Sequence, residues 1–189
     1  NYSYLGLLFQ NGRSVGSKRH PNWQGLFVAE PVVSGLRNAR VVDLSSEPFP
    51  EQPVAYLQVA QSLMLLDAQG KPRVRRSGKQ AYQTVVGEDR DGHILVIKST
   101  DVVPLWELAM CLHEGVPTLH QAMAMDGGSS SDIIVSSELL ARRRNRAALP
   151  TWISQLDGSS TRHIPLPAVI AIYPRQPVAS RPSPPPVGR

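Results

Sequence analysis

Two dipeptides that favour tight turns divide the chain into paired strands. Asn11-Gly12 follows the apolar run at residues 4–10, and Asp91-Gly92 separates residues 82–88 from residues 93–98. Asparagine, aspartate and glycine tolerate the backbone angles that short hairpin turns require. The sequence therefore predicts two β-hairpins, and a chain with such hairpins builds much of its core from antiparallel sheet.

Further apolar runs predict more strands. These runs cover residues 25–28, 39–44, 54–59, 63–66, 123–125, 133–135 and 168–173. An amphipathic helix is predicted over residues 104–114, with Pro104 at its first position, and a second helix is predicted from Ser136 or Ser137 to Ala148. Many short strands with one or two packed helices indicate an α+β fold of mixed, largely antiparallel sheets.

Composition indicates one folded domain and a tail. The chain has 189 residues, of which 41% are hydrophobic, and this is enough for a single core. Residues 175–189 are rich in proline and poor in apolar side chains, so we predict a disordered, partly polyproline tail there. The net charge of +5 comes largely from this tail and from the arginines at 142–146. That arginine cluster has no aromatic partners, so nucleic acid is not a predicted partner.

The single cysteine, Cys111, excludes an internal disulfide and a multi-cysteine zinc site. It lies in the first predicted helix, so we expect a structural thiol rather than a nucleophile. The apolar positions of that helix are Leu105, Leu108, Ala109 and Leu112. No apolar run approaches the roughly 20 residues that a membrane-spanning helix needs. The sequence therefore predicts no membrane span.

A polar loop follows the predicted strand at residues 123–125. Asp126 provides a carboxylate, and Gly127 and Gly128 permit close approach to the main chain. Ser129 and Ser130 offer hydroxyl donors and acceptors. An ordinary strand-ending turn has the same composition. The residues alone leave both interpretations open, a ligand-binding loop and a simple turn.

Several motifs occur in order around this loop. Residues 85–97 hold a strand with a glycine, an Asp-Gly turn and an apolar strand; residues 104–109 read Pro-Leu-Trp-Glu-Leu-Ala; residues 124–130 read Ala-Met-Asp-Gly-Gly-Ser-Ser. Gln61-Ser62 precedes another apolar run. This arrangement resembles the phosphodiester glycosidase family, in which a hairpin, a Thr-Leu-x-Glu-Leu-Ala helix and an Asp-Gly-Gly-Gly-Ser-Ser loop follow one another.

The chain departs from the family pattern in three places. Ser129 stands where the family loop has its third glycine, so a β-carbon is added there. Gln83 stands where the family has a basic residue, and an amide cannot grip a phosphate as a guanidinium does. An Asn-Gly-Gly segment is missing before Leu5, so the resemblance implies that the domain, residues 1–174, is N-terminally incomplete.

The resemblance implies hydrolysis of the bond between a sugar and a phosphodiester, on a glycan or cell-envelope substrate in the periplasm or outside the cell. Asp126 is implied either to orient sugar hydroxyls or to activate water, and this choice stays open. The residues implied to bind the substrate are Gly127, Gly128, Ser129, Ser130, Gln83 and Gln61. The two glycine amides would act as a small anion nest. No metal or organic cofactor is required.

Other kinds of site fit less well. An EF-hand is excluded because Gly128, Ser131 and Ser137 occupy positions that need other residues. The five histidines lack zinc-site spacing, and a Gly-x-Ser-x-Gly motif is absent. The remaining alternative is a noncatalytic carbohydrate or envelope-glycan binding module that keeps the loop without the activity. The sequence does not indicate an oligomeric state.

Overall fold

The computed structural model describes residues 4–49, 55–136 and 168–173. Within these residues the elements follow one another as β1 (Leu8–Gln10), β2 (Arg13–Ser14), β3 (Gly25–Pro31), β4 (Ala39–Asp43), β5 (Tyr56–Leu66), β6 (Gln80–Ala81), β7 (Thr84–Asp89), β8 (Ile94–Lys98), β9 (Val103–Pro104), α1 (Leu105–Gly115), β10 (Leu119–Ala124) and a 3₁₀ turn (Gly128–Ser130). Every strand pairing among them is antiparallel. The predicted α+β class is confirmed.

The long strand β5 joins two halves of one eight-stranded sheet. Its first half lies between β1 and β3, and its second half pairs with β10. β4 extends the first half beyond β3, whereas β7 and β8 extend the second half beyond β10. The change of partner falls near Ser62, which faces Gly25 of β3, and Leu63, which faces Ala124 of β10.

Both predicted hairpins are confirmed. Asn11 and Gly12 have φ angles of 52° and 74°, the left-handed pair that a two-residue hairpin turn requires. β7 and β8 pair from Thr84–Lys98 to Glu88–Ile94, and Gly92 between them has a φ of 86°. Glycine adopts such a positive φ without strain, whereas other residues adopt it with difficulty.

The helix α1 covers one face of the second half-sheet. Ala109 and Leu112 are its buried residues, and they pack with Leu66, Val85 and Ala122. Pro104 precedes the helix in extended conformation, with φ of −66° and ψ of 143°, so it occupies the N-cap rather than the predicted first helical position. The helix otherwise confirms the prediction. No helix in the described part of the chain is long and apolar enough to cross a membrane.

Some sequence predictions are wrong. Residues 54–59 and 63–66 were expected to be separate strands, but β5 continues through Gln61 and Ser62 because loops and neighbouring strands satisfy these polar side chains. Residues 133–135 and 168–173 form no strand. Of the latter segment, Ile170 packs against a core cluster, whereas Val169, Ile172 and Tyr173 are exposed. An apolar run becomes a strand only where a partner edge is available, and local sequence does not show edges.

Cys111 is exposed, so the expected structural thiol is also wrong. The buried face of α1 contains Ala109 and Leu112, and Cys111 lies outside it. The predicted helix ending at Ala148, the arginine cluster at 142–146 and the tail at 175–189 lie outside the described residues. The division into a domain and a tail therefore stays a prediction.

Candidate functional site

Three strands meet closely at Gly25. A β-carbon on this residue would lie 2.7 Å from Cβ of Met123 and 3.0 Å from the carbonyl oxygen of Ser62. Only glycine allows β3, β5 and β10 to approach so closely here. As a result, the segment that leads into β3 and the segment that leaves β10 emerge at the same rim of the sheet.

The loop that leaves β10 is fastened along the start of β7. The amide of Met125 donates to the carbonyl oxygen of Thr84 at 2.8 Å, and the amide of Gly128 donates to that of Tyr82 at 2.8 Å. The hydroxyls of Thr84 and Ser131, both buried, are 2.6 Å apart. These contacts hold residues 126–130 in one conformation.

The two loop glycines are needed for different reasons. A β-carbon on Gly127 would come within 2.9 Å of Oε1 of Gln83 and 3.0 Å of the Tyr82 carbonyl oxygen. Gly128 has a φ of 73°, and no atoms crowd its α-carbon. Ser129 does not have a positive φ and lies in the 3₁₀ turn. The replacement of the family's third glycine by serine is therefore compatible with this loop.

The carboxylate of Asp126 is more accessible than the sequence suggested. The transition from strand to glycines and the resemblance to the family loop predict a partly buried carboxylate that faces a cleft, but Asp126 is exposed. Its Oδ1 accepts a hydrogen bond from the amide of Gly127 at 3.0 Å. Tyr4 lies on the same rim: burial, followed by the negative charge of Asp126, raises the pKa of the Tyr4 phenol to about 12. The loop carboxylate and this phenol therefore share one electrostatic environment.

The expected anion nest is not formed by the glycine amides. The amide of Gly127 is bonded to Asp126, and that of Gly128 is bonded to Tyr82. The groups that face solvent are instead the side chains of Asp126 and Ser129, which are exposed, with Ser130 half-buried. A ligand at this loop would meet a carboxylate and hydroxyls rather than a ring of free amides.

Gln83 is buried beneath the loop. Its side chain is 5% exposed, and its Nε2 donates to the carbonyl oxygen of Val103 at 3.1 Å. Its Oε1 is the atom that excludes a β-carbon from Gly127. In this structure Gln83 therefore supports the loop from below, and its expected contact with the substrate stays a prediction.

Gln61 is wholly buried, and its amide is fully used. Its Oε1 accepts from the amides of Leu7 at 3.0 Å and His20 at 2.9 Å, while its Nε2 donates to the carbonyl oxygens of His20 at 2.9 Å and Trp23 at 2.6 Å. These four bonds fill the capacity of a glutamine amide. Gln61 thus fastens the segment before β3, and direct substrate binding by it finds no free donor or acceptor.

The segment before β3 carries an aromatic pair that no sequence motif marks. The rings of His20 and Trp23 are stacked with centroids 4.4 Å apart, and both residues are half-buried. The hydroxyl of Tyr4 donates to the carbonyl oxygen of Gln61 at 2.7 Å, which links this pair to the rim beside Asp126. No local pattern marks His20, Trp23 or Tyr4, because a strand junction far along the chain brings them to the loop.

A separate cleft lies beside α1 rather than over the Asp126 loop. Its volume is about 990 Å³, and its walls include Arg76, Trp106, Glu107, Cys111 and Glu114. The guanidinium of Arg76 lies 5.5 Å from the centre of the Trp106 ring, within the range of a cation–π contact. The cleft is therefore lined by charges of both signs around an aromatic ring.

One group of side chains in the described residues has metal-ligand spacing. Ligand atoms of Asp89, Asp91 and His93 all lie within 4.8 Å of one another. The Asp89 carboxylate, however, accepts from the amides of Asp91 and His93 and contacts the His93 ring at 2.9 Å. These bonds are those of a hairpin turn, and the resemblance assigns no metal to it.

The comparison with family models settles the membership that the loop and its order of elements suggested. The phosphodiester glycosidase family model matches residues 2–165. The chain belongs to this family. Membership covers every described residue of the loop, of β7 and of the rim that carries Tyr4, His20 and Trp23.

Two solved structures show some likeness to this chain. The catalytic domain of zebrafish N-acetylglucosamine-1-phosphodiester α-N-acetylglucosaminidase, auto-inhibited by its pro-peptide, is 19% identical with a TM-score of 0.47, covering 68% of this chain and 47% of that one. A hypothetical protein from Synechocystis is 18% identical with a TM-score of 0.36, covering 70% of this chain and 30% of that one. The chain thus spans about half the length of the zebrafish domain. The search of curated proteins gave no match.

Proposed function

We propose that this phosphodiester glycosidase hydrolyses the bond between the anomeric carbon of a sugar and the oxygen of a phosphodiester, at the rim formed by the Asp126 loop. The observation that carries the proposal is the loop itself, fixed by Thr84 and Tyr82 so that an accessible carboxylate and two serines stand together. Family membership supports the general reaction.

In the proposed reaction, a water oxygen forms a bond to the anomeric carbon. The bond from that carbon to the phosphate oxygen breaks, and its electron pair leaves with the phosphate monoester. Phosphate is a better leaving group than an alcohol, so the reaction needs less acid assistance than ordinary glycoside hydrolysis. Asp126 either accepts the proton from the attacking water or holds the sugar hydroxyls. Both roles use a carboxylate that solvent and substrate can reach.

The surrounding groups suit a sugar. Serine hydroxyls at 129 and 130 can donate to and accept from sugar or phosphate oxygens. The stacked rings of His20 and Trp23 give the rim an amphipathic wall, and such aromatic groups bind one apolar face while a polar edge stays wet. We place the sugar between this wall and Asp126, and the phosphate towards Tyr82. A periplasmic or secreted location agrees with a cell-envelope glycan as substrate and belongs to the same proposal.

A noncatalytic glycan-binding module is the second candidate. The observation that favours it is the neutral, buried side chain of Gln83 at the position where the family has a basic residue. A charged clamp on the phosphodiester is lost there, and hydrogen bonds to charged groups are roughly twice as strong as neutral ones. Under this reading the rim binds sugar but turns over no substrate.

Hydrolysis in ¹⁸O-labelled water tests the proposal and separates the candidates. The substrate is an aryl phosphodiester of N-acetylglucosamine, its cleavage is measured as released N-acetylglucosamine, and the chain is compared with Asp126→Asn, Asp126→Ala and the control Asp101→Asn, another exposed aspartate. We expect turnover by the parent and the control, the label in the released sugar, and a loss of about 100-fold or more in the Asp126 variants, the usual range for a general base. Label in the phosphate would refute glycosidic cleavage. Sugar binding without turnover would establish the noncatalytic module.

A further inference from the structure

A basic segment runs along the surface beside α1. No acidic residue occurs from Ala68 to Gly87, and this stretch contains Lys71, Arg73, Arg75, Arg76 and Lys79. We call residues 71–79 the basic strap. Nη1 of Arg73 lies 3.7 Å from Oδ2 of Asp43, and the guanidinium of Arg76 lies over the Trp106 ring. Within the described part of the chain, the exposed side chains of Lys71, Arg75 and Lys79 have no ion-pair partner.

The strap is held at both ends, so its charges have defined positions. At one end the amide of Arg73 donates to the Leu65 carbonyl oxygen at 2.9 Å, and Val74 is buried. At the other end, β6 pairs with β9 through Gln80–Pro104 and Ala81–Val103. The exposed residues 75–79 therefore form a short arch above the cleft beside α1 rather than a free loop.

The strap leads directly to the candidate site. Tyr82, two residues after β6 begins, accepts from the amide of Gly128 in the Asp126 loop. Tyr82 is 45% exposed, and in the sequence it lies between the strap and the residues that hold the loop. Tyr82 follows Arg75 by seven positions, a separation that an extended backbone covers in at most roughly 25 Å. Tyr82 therefore connects the Asp126 loop to the end of the strap, through its carbonyl oxygen on one side and β6 on the other.

The cleft adds a surface that matches a particular chemistry. The Arg76 guanidinium lies over the Trp106 ring, and both line the cleft together with Glu107 and Glu114. Guanidinium groups bind phosphate oxygens, whereas carboxylates accept hydrogen bonds from sugar hydroxyls. A ligand that alternates phosphate with neutral sugar suits both the guanidinium and the carboxylates of this cleft. The volume of the cleft, about 990 Å³, lies at the upper end of the range of ligand sites, roughly 300 to 1,000 Å³.

We propose that the basic strap and the cleft bind the chain that continues beyond the scissile phosphate, and that the substrate is a polymer of sugar–phosphodiester repeats. This inference rests on the proposed function for the position of the cleaved bond. The terminal sugar would lie at the Asp126 loop, and the following repeats would pass Tyr82 and reach Lys79, Arg75 and Arg76. The phosphates of those repeats would pair with the strap, and their sugars would contact Trp106 and the carboxylates.

Other polyanions fit this surface less well. Duplex DNA carries one charge per ~1.7 Å, and its phosphates would be repelled by Glu107 and Glu114. Arg76 already covers the Trp106 ring, so that ring is not an open platform for stacked bases. A membrane surface would need apolar side chains beside the cations, but Val74, the one large apolar residue in the strap, is buried. A sparsely charged, hydroxyl-rich polymer avoids all three conflicts.

The test compares a polymer with a small ester. The polymeric probe is a short oligomer of N-acetylglucosamine-1-phosphate repeats with a fluorescent label, and the small probe is the aryl phosphodiester of the same sugar, followed by its release of N-acetylglucosamine. The strap variant is Arg75→Glu with Lys79→Glu. The matched control reverses two other exposed arginines, Arg13→Glu with Arg90→Glu, which lie on β2 and after the far end of β7. Thermal melting verifies that both variants are folded.

We expect the strap variant to bind the oligomer about tenfold more weakly than the parent, a change equal to roughly 1.4 kcal/mol, and to lose part of the salt dependence of binding. The control should bind as the parent does, and the kcat/KM for the small ester should stay within about twofold in all of them. Equal oligomer binding by strap variant and control would overturn the proposal. So would equally tight binding of a single-stranded oligonucleotide or of phosphatidylglycerol vesicles by the parent.

The same experiment distinguishes this proposal from the proposed function. If the parent hydrolyses neither probe, the glycosidase function fails, while strap-dependent oligomer binding still supports the subsite. If the parent hydrolyses the small ester and the strap variant hydrolyses the oligomer as the parent does, the subsite fails and the glycosidase function stands.

Discussion

Gly127 packs directly against Gln83. A β-carbon at position 127 would lie 2.9 Å from Oε1 of that glutamine, which is itself buried and bonded to Val103. The loop that presents Asp126 is therefore shaped from below by the residue at 83. A basic side chain at that position would have to displace this contact or turn towards the loop surface, so the departure from the family pattern changes the support of the loop as well as its charge.

The two loop glycines should resist substitution for separate reasons. We expect Gly128→Ala to cost about 1 to 2 kcal/mol because alanine disfavours left-handed backbone, and Gly127→Ala to cost about 1 to 3 kcal/mol through overpacking against Tyr82 and Gln83. Gly115→Ala is the control, because its α-carbon faces open space at the end of α1. Urea unfolding measures all three. If Gly115→Ala destabilises the protein as much as the loop variants do, neither backbone conformation nor overpacking explains their loss of stability.

Gln61 should act as a structural clamp. The volume-conserving change Gln61→Met removes four hydrogen bonds and leaves the buried amide of Leu7 without its partner, so we expect a loss of about 2 to 4 kcal/mol. The emission of Trp23 should shift to longer wavelength as its segment loosens. Gln58→Met, on the same strand but with exposed hydrogen bonds, is the control. A change no larger than that of the control would return Gln61 to the list of candidate substrate ligands.

The local features of this fold follow from the sequence. Asn11-Gly12 and Asp91-Gly92 give hairpins because their turn conformations depend on a few adjacent residues. The helix α1 follows from the spacing of Leu105, Ala109 and Leu112. The candidate loop was also found from local composition, since glycines and serines after an apolar strand are visible without a structure.

The rest depended on contacts between distant residues. In the sequence, the polar Gln61 separates two apolar runs and so predicts two strands. In the structure, its side-chain amide is satisfied by His20 and Trp23, about forty positions earlier. The wall formed by that stacked pair, and the place of Tyr4 beside Asp126, arise where Gly25 allows three strands to meet. No periodicity or motif records these contacts, so the sequence predicted the loop but not its surroundings.

A second long-range contact fixes the far end of β7. The buried carboxylate of Glu88 accepts from the amide of Val41 at 2.8 Å and pairs with Arg37 at 2.5 Å. We expect Arg37→Ala to cost about 1 to 3 kcal/mol, because the buried carboxylate of Glu88 loses its ion-pair partner. Arg40→Ala is the control. Its partner Glu47 is 49% exposed rather than buried, and pairs that solvent reaches contribute about 0 to 1 kcal/mol. Guanidinium chloride unfolding measures both variants. Equal losses of unfolding free energy in Arg37→Ala and Arg40→Ala would contradict a special role for Arg37.

The phenol of Tyr4 provides a readout of the charge at Asp126. Burial, and then the negative charge of Asp126, raise the pKa of Tyr4 from 10.0 to about 12, so the fold favours the neutral phenol, which donates to the Gln61 carbonyl oxygen. Because the folded pKa is the higher one, this contribution to stability is fully present below about pH 10 and is lost as the pH rises towards about 12. Tyr4→Phe should remove that part of the alkaline loss of stability.

Ultraviolet titration of tyrosinate, taken as the parent minus Tyr4→Phe, isolates this phenol. In Asp126→Asn the same difference titration should move towards lower pH but stay above the ordinary value, because burial is the larger cause and remains. Asp101→Asn, the exposed control, should leave it unchanged. A Tyr4 titration that does not move in Asp126→Asn would show that the two groups do not share an electrostatic environment, and the rim would lose the link between its carboxylate and its aromatic wall.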